Sequence, residues 1–423
     1  MGQASFFIHP VCYHLISEEM MSDHSGLFLD LADIARQLED SIELIKEERI
    51  DIERAFSKAK SLFLNDASDQ KKVLSKVLEG KYTFLAGIPR EKMTSAFAAP
   101  ARLNDYTVYA TDGSQIDLDR NQSIPHYLLN ISKIRLSYGD DYGADITSEC
   151  KFNVSRSSMA IRSEDNERPM NSALLAIMRG VDELRVLKEL CAESTRTDRT
   201  VALSDGTLIF WTLASKEIED WVVKYFLEDR YLKYLDELRD LHRTKGTITA
   251  SYLSYPGSSD VVNVLRLLMC PHDTPNCDSF CAGNVTRPCS ALDGVTDRAL
   301  FQELLKPGER SAIFESRSSI LERYGDHRIC FFYINVDDEI GRVEMPLWVA
   351  EDSESVDALH AVIIDQCRKG DGYPVALSEA HEAAVVRRGD TEVVRELMRQ
   401  ELAKAGITYT TSAKARSKSR RHI

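Results

Sequence analysis

The chain has 423 residues, enough for two to four domains or for one large domain with extensions. Lys and Arg number 53 against 67 Asp and Glu, a formal net charge of −14, with 43% hydrophobic and 28% charged residues. These values exclude a disordered chain and a globally basic nucleic-acid coater, while leaving local sites open, because binding answers to the local field. No apolar run reaches the roughly 18 residues of a membrane span. The N-terminus lacks a basic segment ahead of an apolar one, so no secretory signal is expected. Met1-Gly2 begins a myristoylation pattern that fails at Phe6, where a hydroxyl is required. The expectation is a cytoplasmic protein with reduced thiols.

Residues 27–65 contain no Gly or Pro and place apolar side chains at Leu31, Ile34, Leu38, Ile42, Ile45, Ile52 and Phe56. That spacing predicts a long helical arm that packs on the main body or on a partner. Pro89 and Pro100 mark a loop. Three strands are predicted next, at 107–116, 126–139 and 146–155, from their β-branched and aromatic content. A helix at 171–193 precedes a buried strand pattern at 200–210 that is interrupted by a turn. A long helix over 215–243, a strand at 248–255, a hairpin at 328–336 and 342–350, and two or three closing helices complete the series. Three antiparallel strands, a helix, a strand and a helix is the order of a ribonuclease H-like core. The predicted fold is therefore α/β: a ribonuclease H-like mixed sheet flanked by helices, with an N-terminal helical arm and a Cys-rich insertion. The expected divisions are a helical extension over 1–95, a catalytic domain over 100–410 with the insertion at about 268–292, and a basic tail over 411–423, expected to be disordered.

Two Asp-Gly pairs end apolar strands: Thr111-Asp112-Gly113-Ser114 and Ser204-Asp205-Gly206-Thr207-Leu208. A strand fixes each carboxylate and the glycine lets the backbone turn close to a ligand. Two such carboxylates can hold hard divalent cations for phosphoryl transfer. The plainer reading is that Asp-Gly simply makes turns. A second constellation is Gly372-Tyr373-Pro374-Val375-Ala376-Leu377-Ser378-Glu379-Ala380-His381. With Ser378 as N-cap, His381 would stand in the first helical turn, where the positive helix end disfavours imidazolium and keeps the ring neutral for a metal. The alternative is a partly exposed helix-start histidine.

Taken in order, these segments resemble the NurA nucleases. Asp112-Gly113-Ser114 is similar to the first motif of the family, and Ser204-Asp205-Gly206-Thr207-Leu208 to its second, with Thr in place of Ser. Arg342-Val343-Glu344-Met345-Pro346-Leu347-Trp348 resembles the strand before the last helices, and Tyr373-Pro374 followed by His381 resembles the C-terminal Tyr/His motif. The resemblance spans residues 106 to about 390. It implies a Mn²⁺-dependent (or Mg²⁺-dependent) 5′-to-3′ exonuclease with single-strand endonuclease activity. It also implies a homodimer that acts on DNA ends with a HerA-type hexameric ATPase, in DNA repair or phage defence. Asp112 and Asp205 would be metal ligands, His381 would lie near the metal, and Tyr373 near the substrate phosphate. The family also uses a glutamate on the helix before the second motif. Glu183 fits best, with Asp182 and Glu189 as rivals, and an ion pair with Arg179 as the plain alternative.

Four of the nine cysteines, Cys270, Cys277, Cys281 and Cys289, fall within twenty residues in the pattern C-x6-C-x3-C-x7-C. No C-x2-C knuckle is present, so a standard zinc ribbon is not expected. The loop is rich in Pro, Asp and Asn, and its thiolates could hold structural Zn²⁺ or an iron–sulfur cluster, with His272 as a substitute ligand. The alternative is an irregular insertion of reduced thiols. The tail carries Lys414, Arg416, Lys418, Arg420 and Arg421, which suit DNA backbone contact or simple solubility. Two rival functions remain at this stage. One is a non-catalytic DNA-end adaptor of a translocase, which needs no converging Asp112, Asp205 and His381. The other is a metal-dependent phosphoesterase acting on RNA or nucleotides.

Overall fold

A computed structural model describes residues 30–410, apart from 119–121, 141, 196–198, 216, 284–286 and 338. The basic tail over 411–423 lies outside the described residues. By compactness the chain divides between Arg54 and Ala55, well before residue 95. Helix α1 (Leu31–Asn65) runs through that division. In its first part Leu31, Ile34, Leu38, Ile45 and Ile52 are exposed. In its last part Ala55, Ala59 and Phe63 are buried, and Phe63 meets Phe301 edge to face.

The elements of the second unit follow the predicted order. They are α2 (Gln70–Glu79), β1 (Tyr106–Thr111), β2 (Gly113–Ile116), β3 (Tyr127–Tyr138), β4 (Gly143–Asn153), α3 (Ser172–Glu193) and β5 (Arg199–Asp205). A helix composed of Asp220–Val223, a π-helical stretch Lys224–Tyr231 and Leu232–Lys245 comes next, together α4. Then come β6 (Ile248–Leu253), α5 (Asp260–Met269), α6 (Asp297–Leu304), β7 (Ile329–Asn335), β8 (Ile340–Pro346), α7 (Ser353–Lys369), α8 (Val375–Ala384) and α9 (Arg388–Lys404). Two predicted strand ends are not strand. Residues 208–210 form a loop held by side chains, and Leu347–Ala350 is a helical turn after Pro346. Among the described residues, no helix is long and apolar enough to cross a membrane.

The strands form one large mixed sheet. Its order is Ile88–Pro89, Phe314–Glu315, β7, β8, β6, β5, β1, β3, with β2 and β4 also paired to β3. β1 runs parallel to β5, and β5 parallel to β6; the remaining neighbours are antiparallel. β1 and β2 share a single register against β3, from Tyr106↔Tyr138 to Ile116↔Leu128. They are therefore one strand interrupted only at Asp112.

Alternation sorts the strand residues between two faces. Val108, Ala110, Val201, Leu203 and Ala250 face α7 and α8, packing on Leu359, Val362, Ala376 and Leu377. Tyr109 and Ala202 face the opposite way, onto α3 and α4 through Leu184, Leu187, Phe226 and Leu235. A third core joins α2, α5 and α6 to Phe331 and Tyr333. Asn171 caps α3 by accepting from the Leu174 N–H, and Gly246 closes α4 in the left-handed conformation at φ 70°. The helices thus stand on both faces of the sheet and leave the C-terminal ends of β1 and β5 to meet α3 from one side and α8 from the other.

Candidate active site

Parallel pairing brings the two Asp-Gly motifs to one level. Thr111 pairs with Ser204, so Asp112 and Asp205 follow as the next residues of adjacent strands, which lie about 4.8 Å apart. Equal register on neighbouring parallel strands sends both carboxylates to the same face. Asp112 stands where the strand is interrupted. Its N–H donates to Ser132 Oγ (2.9 Å), its carbonyl accepts from the Ser132 N–H (2.9 Å), and its own Oδ1 accepts from the Gly113 N–H (2.7 Å). At the second motif Gly206 takes φ 78°, a left-handed conformation that favours glycine. Its N–H donates to the Tyr252 carbonyl at 3.0 Å. The turn then closes on Glu344, whose Oε2 accepts from Thr207 Oγ1 (2.8 Å) and the Leu208 N–H (3.0 Å).

Glu183 reaches the same place from α3. A Cβ on Gly113 would lie 2.5 Å from Glu183 Oε1 and 2.8 Å from Arg179 Cγ, so only glycine lets the helix approach the strand this closely. Glu183 forms the predicted i,i+4 ion pair with Arg179 at 3.2 Å. The contact joins the buried Glu183 Oε1 and Arg179 Nε without hydrogen-bond geometry, so it is electrostatic. The rivals are engaged elsewhere. Asp182 pairs with Lys151 and Arg185, and Glu189 pairs with Arg185.

Tyr373 and His381 arrive from the opposite side. A turn through Asp371 and Gly372, both at positive φ, delivers Tyr373, whose hydroxyl donates to Asp205 Oδ1 at 2.8 Å. His381 Nδ1 stands 3.0 Å from Asp112 Oδ2. The helix that carries it does not begin at Ser378. It begins at Val375, with Pro374 as N-cap, and His381 lies in its last turn. Proline's fixed φ suits a helix start, and Gln366 Oε1 takes the orphan N–H of Ala376 at 3.1 Å. The electrostatic argument for a neutral ring is therefore overturned, because the C-terminal end of a helix favours positive charge. The end of α8 is held by the β2–β3 hairpin. Ser114 Oγ donates to the Ala384 carbonyl (2.7 Å) and accepts from the Val386 N–H (2.9 Å). Asn130 Nδ2 donates to the same carbonyl at 2.8 Å.

The electrostatics follow from this crowding. Burial pushes the Glu183 carboxyl up to about 7; Arg179 opposes the shift, and Asp112 and Asp205 add to it. Asp205 opens to solvent on one side, yet the protein packed around it raises its pKa, against the hydrogen bond from Tyr373. Burial and the Asp205 charge raise the Tyr373 phenol, which keeps it a protonated donor. Three converging carboxylates, only partly offset by Arg179, have the chemistry of a hard-cation site. As the side chains stand, no three His, Cys, Asp or Glu among the described residues form a finished coordination sphere. The donor set fits a divalent ion without being closed around one.

Sequence reasoning missed three supporting residues. Ser132 and Asn130 sit inside β3, where they look like ordinary polar strand positions. Glu344 could have been noticed, because it is an acid within the apolar run Val343-Glu344-Met345 and is buried there. Elsewhere, Cys270, Cys277, Cys281 and Cys289 are free thiols that line one cavity of about 130 Å³ together with His272.

A family model described as the NurA domain matches residues 106–386, well over half of the chain. The crystal structure of the NurA nuclease from Sulfolobus solfataricus is similar to this chain with a TM-score of 0.51 at 13% identity, covering 88% of this chain and 98% of that one. A crystal structure of NurA with manganese aligns with a TM-score of 0.37 at 12% identity, covering 86% of this chain and 98% of that one. No curated protein matches the chain. The first likeness supports the mixed α/β fold.

Proposed function

This chain belongs to the NurA family, and we propose that it is a divalent-metal-dependent DNA nuclease whose centre is Asp112, Glu183 and Asp205. The observation that carries this reading is the common register of Asp112 and Asp205 on parallel strands, with Glu183 Oε1 packed against Gly113 beside them. Asp112, Glu183, Asp205 and His381 would hold Mn²⁺ or Mg²⁺. When bound, such an ion supplies Lewis acidity to a phosphoryl oxygen and lowers the pKa of water.

The chain's own groups prepare that chemistry. His381 Nδ1 orients the Asp112 carboxylate. Tyr373 donates to one oxygen of Asp205. Its hydroxyl stands at the carboxylates, so we assign it the positioning of the scissile phosphate. Glu183 holds a proton on its carboxylate near neutral pH while the site is empty of cations, which relieves the repulsion among three acids. Arg179 beside it offsets part of the negative field that would otherwise repel a phosphodiester.

The core order of β1, β2–β3, β4, α3 and β5 supports a ribonuclease H-like reading. We further propose 5′-to-3′ exonuclease and single-strand endonuclease activity, a homodimer, and joint action with a HerA-type hexameric ATPase on DNA ends in repair or phage defence. We propose the domain span 100–410 for this activity. The meeting of Asp112 with His381 and of Asp205 with Tyr373 argues against the adaptor reading, which needs no such convergence.

The test is a Mn²⁺-dependent assay on linear DNA, with and without a co-expressed HerA-type ATPase. RNA and small phosphoesters serve as competing substrates. Degradation of DNA by the wild type and its loss in Asp112→Ala are expected. Wild-type rates in Asp112→Ala, with Mn²⁺ bound normally, would sink the assignment.

A further inference from the structure

The cysteine-bearing segment between α5 and α6 is not part of the site described above. Its four thiols come from three separate local settings. Cys270 follows the last turn of α5. Cys277 opens and Cys281 closes one short helical turn, and Cys289 lies in a 3₁₀ turn after Pro288. All four nevertheless face a single cavity of about 130 Å³.

Polar contacts hold this arrangement, where aliphatic packing is sparse. The buried Lys76 ammonium donates to the carbonyls of Cys270 and His272, each at 2.7 Å. The Cys277 N–H donates to the Lys81 carbonyl (2.9 Å), and the Lys81 N–H donates to the Pro275 carbonyl (2.8 Å). The His272 ring stacks on Phe280 at 3.7 Å between centroids. Cys270 and Cys277 are thereby held through their backbones, and none of the four cysteines is in a disulfide.

The cavity wall also carries cations. Arg266 and Arg287 line it, and Lys76 stands behind Cys270. Arg266 leaves its Nε buried and without a hydrogen-bond partner among the described residues, although its terminal nitrogen pairs with Asp293. Four thiolates around a divalent ion or an iron–sulfur cluster leave a net negative charge, which such cations offset and to which an idle N–H donor can bond. Four reduced thiols around an apolar cavity would have no need of them.

We propose that Cys270, Cys277, Cys281 and Cys289 form a four-thiolate centre for a thiophilic metal, either zinc or an iron–sulfur cluster. Binding of Zn²⁺, or transfer of a preassembled iron–sulfur cluster from a carrier, releases the thiol protons to solvent and forms four metal–sulfur bonds, with no change in oxidation state. No three of the sulfurs stand at single-ion spacing as the loop lies. Loading therefore requires them to close inward. The centre would order the segment against α2, and it does not depend on the nuclease reading.

The full-length chain is purified without oxygen from cells supplied with iron and, separately, with zinc, and then assayed for metals, acid-labile sulfide and visible absorption. Iron with matching sulfide and a broad visible band identifies a cluster. Stoichiometric zinc without absorption identifies a zinc site. Either result supports the centre, provided that the Cys281→Ser/Cys289→Ser pair lowers the bound metal at least ~10-fold and Cys150→Ser does not. Should the double variant fail to fold, the wild type still decides. Metal below roughly a tenth of an equivalent in both preparations, with all four thiols open to a thiol reagent in the native state, overturns the proposal.

Discussion

Two acidic clusters lie on this sheet a few strands apart, and they are managed in opposite ways. Around β8, Arg342 donates to Asp260 (3.0 Å) and Glu344 (3.0 Å), and its guanidinium covers Phe331 at 3.7 Å. Asp297 nearby accepts from the N–H groups of Val261 and Val262 and from the Tyr333 hydroxyl. Each carboxylate there has named donors. At the ends of β1 and β5 the same number of acids meets, but Glu183 Oε1 meets Arg179 Nε at 3.2 Å as an ion pair without hydrogen-bond geometry. Both clusters gather formal charge, so charge count does not separate structure from function. Satisfaction does: a fold that gives every acid of one cluster well-formed donors and leaves the other with poorer ones has left the second open to a ligand.

This contrast can be broken most directly at the unsatisfied cluster. Asp112→Ala or Asp205→Ala is expected to lower DNA hydrolysis at least ~1,000-fold while the folded state, followed by circular dichroism, stays intact. Retained activity would mean that the open cluster is not the working one. The satisfied cluster should behave in reverse. Arg342→Met strands Asp260 and Glu344 without their cation and is expected to destabilise the protein by about 3–5 kcal/mol in urea unfolding.

The Glu183 pKa offers a finer test. Its folded value of about 7 lies above its ordinary value, so the folded, metal-free protein binds more protons than the unfolded chain between those limits. Stability is then greatest below the ordinary carboxylate pKa and falls as pH rises toward 7. The carboxyl side chain retains 22% exposure, and solvent screening reduces the effect to roughly 1–3 kcal/mol. Unfolding midpoints between pH 4.5 and 8 should show this decline, and Glu183→Gln should flatten it. The smallest effect is expected for Tyr373→Phe. It removes one donor from Asp205 and should cost about 10-fold in rate with little change in stability.

Much of the site was legible in the chain because strand ends are written locally. The two Asp-Gly pairs, each at the close of an apolar run, pointed to Asp112 and Asp205, whereas Glu183 was singled out by the family resemblance alone. The start of α8 was misread because Ser378 has the better capping side chain, whereas Pro374 wins through its fixed backbone and the long-range bond from Gln366. Glu344 and Asn130 were missed for a related reason. Each acts on a residue more than 100 positions away, Glu344 on Thr207 and Asn130 on Ala384, and nothing in their own neighbourhoods records that. The four cysteines were conspicuous as a pattern, but their shared cavity depends on Lys76 and Lys81, which belong to a different part of the chain.

The hairpin's hold on α8 has a consequence for biosynthesis. Asp112 and Ser114 are made early, while His381, Ala384 and Val386 lie about 270 residues later. A ribosome-bound chain can pair β1 with β3 and then with β5, and so gather its acids, yet it still lacks the tyrosine and histidine that orient them. The candidate site is therefore completed only after residues 373–386 are made, and products truncated before them would carry its acids without Tyr373 and His381.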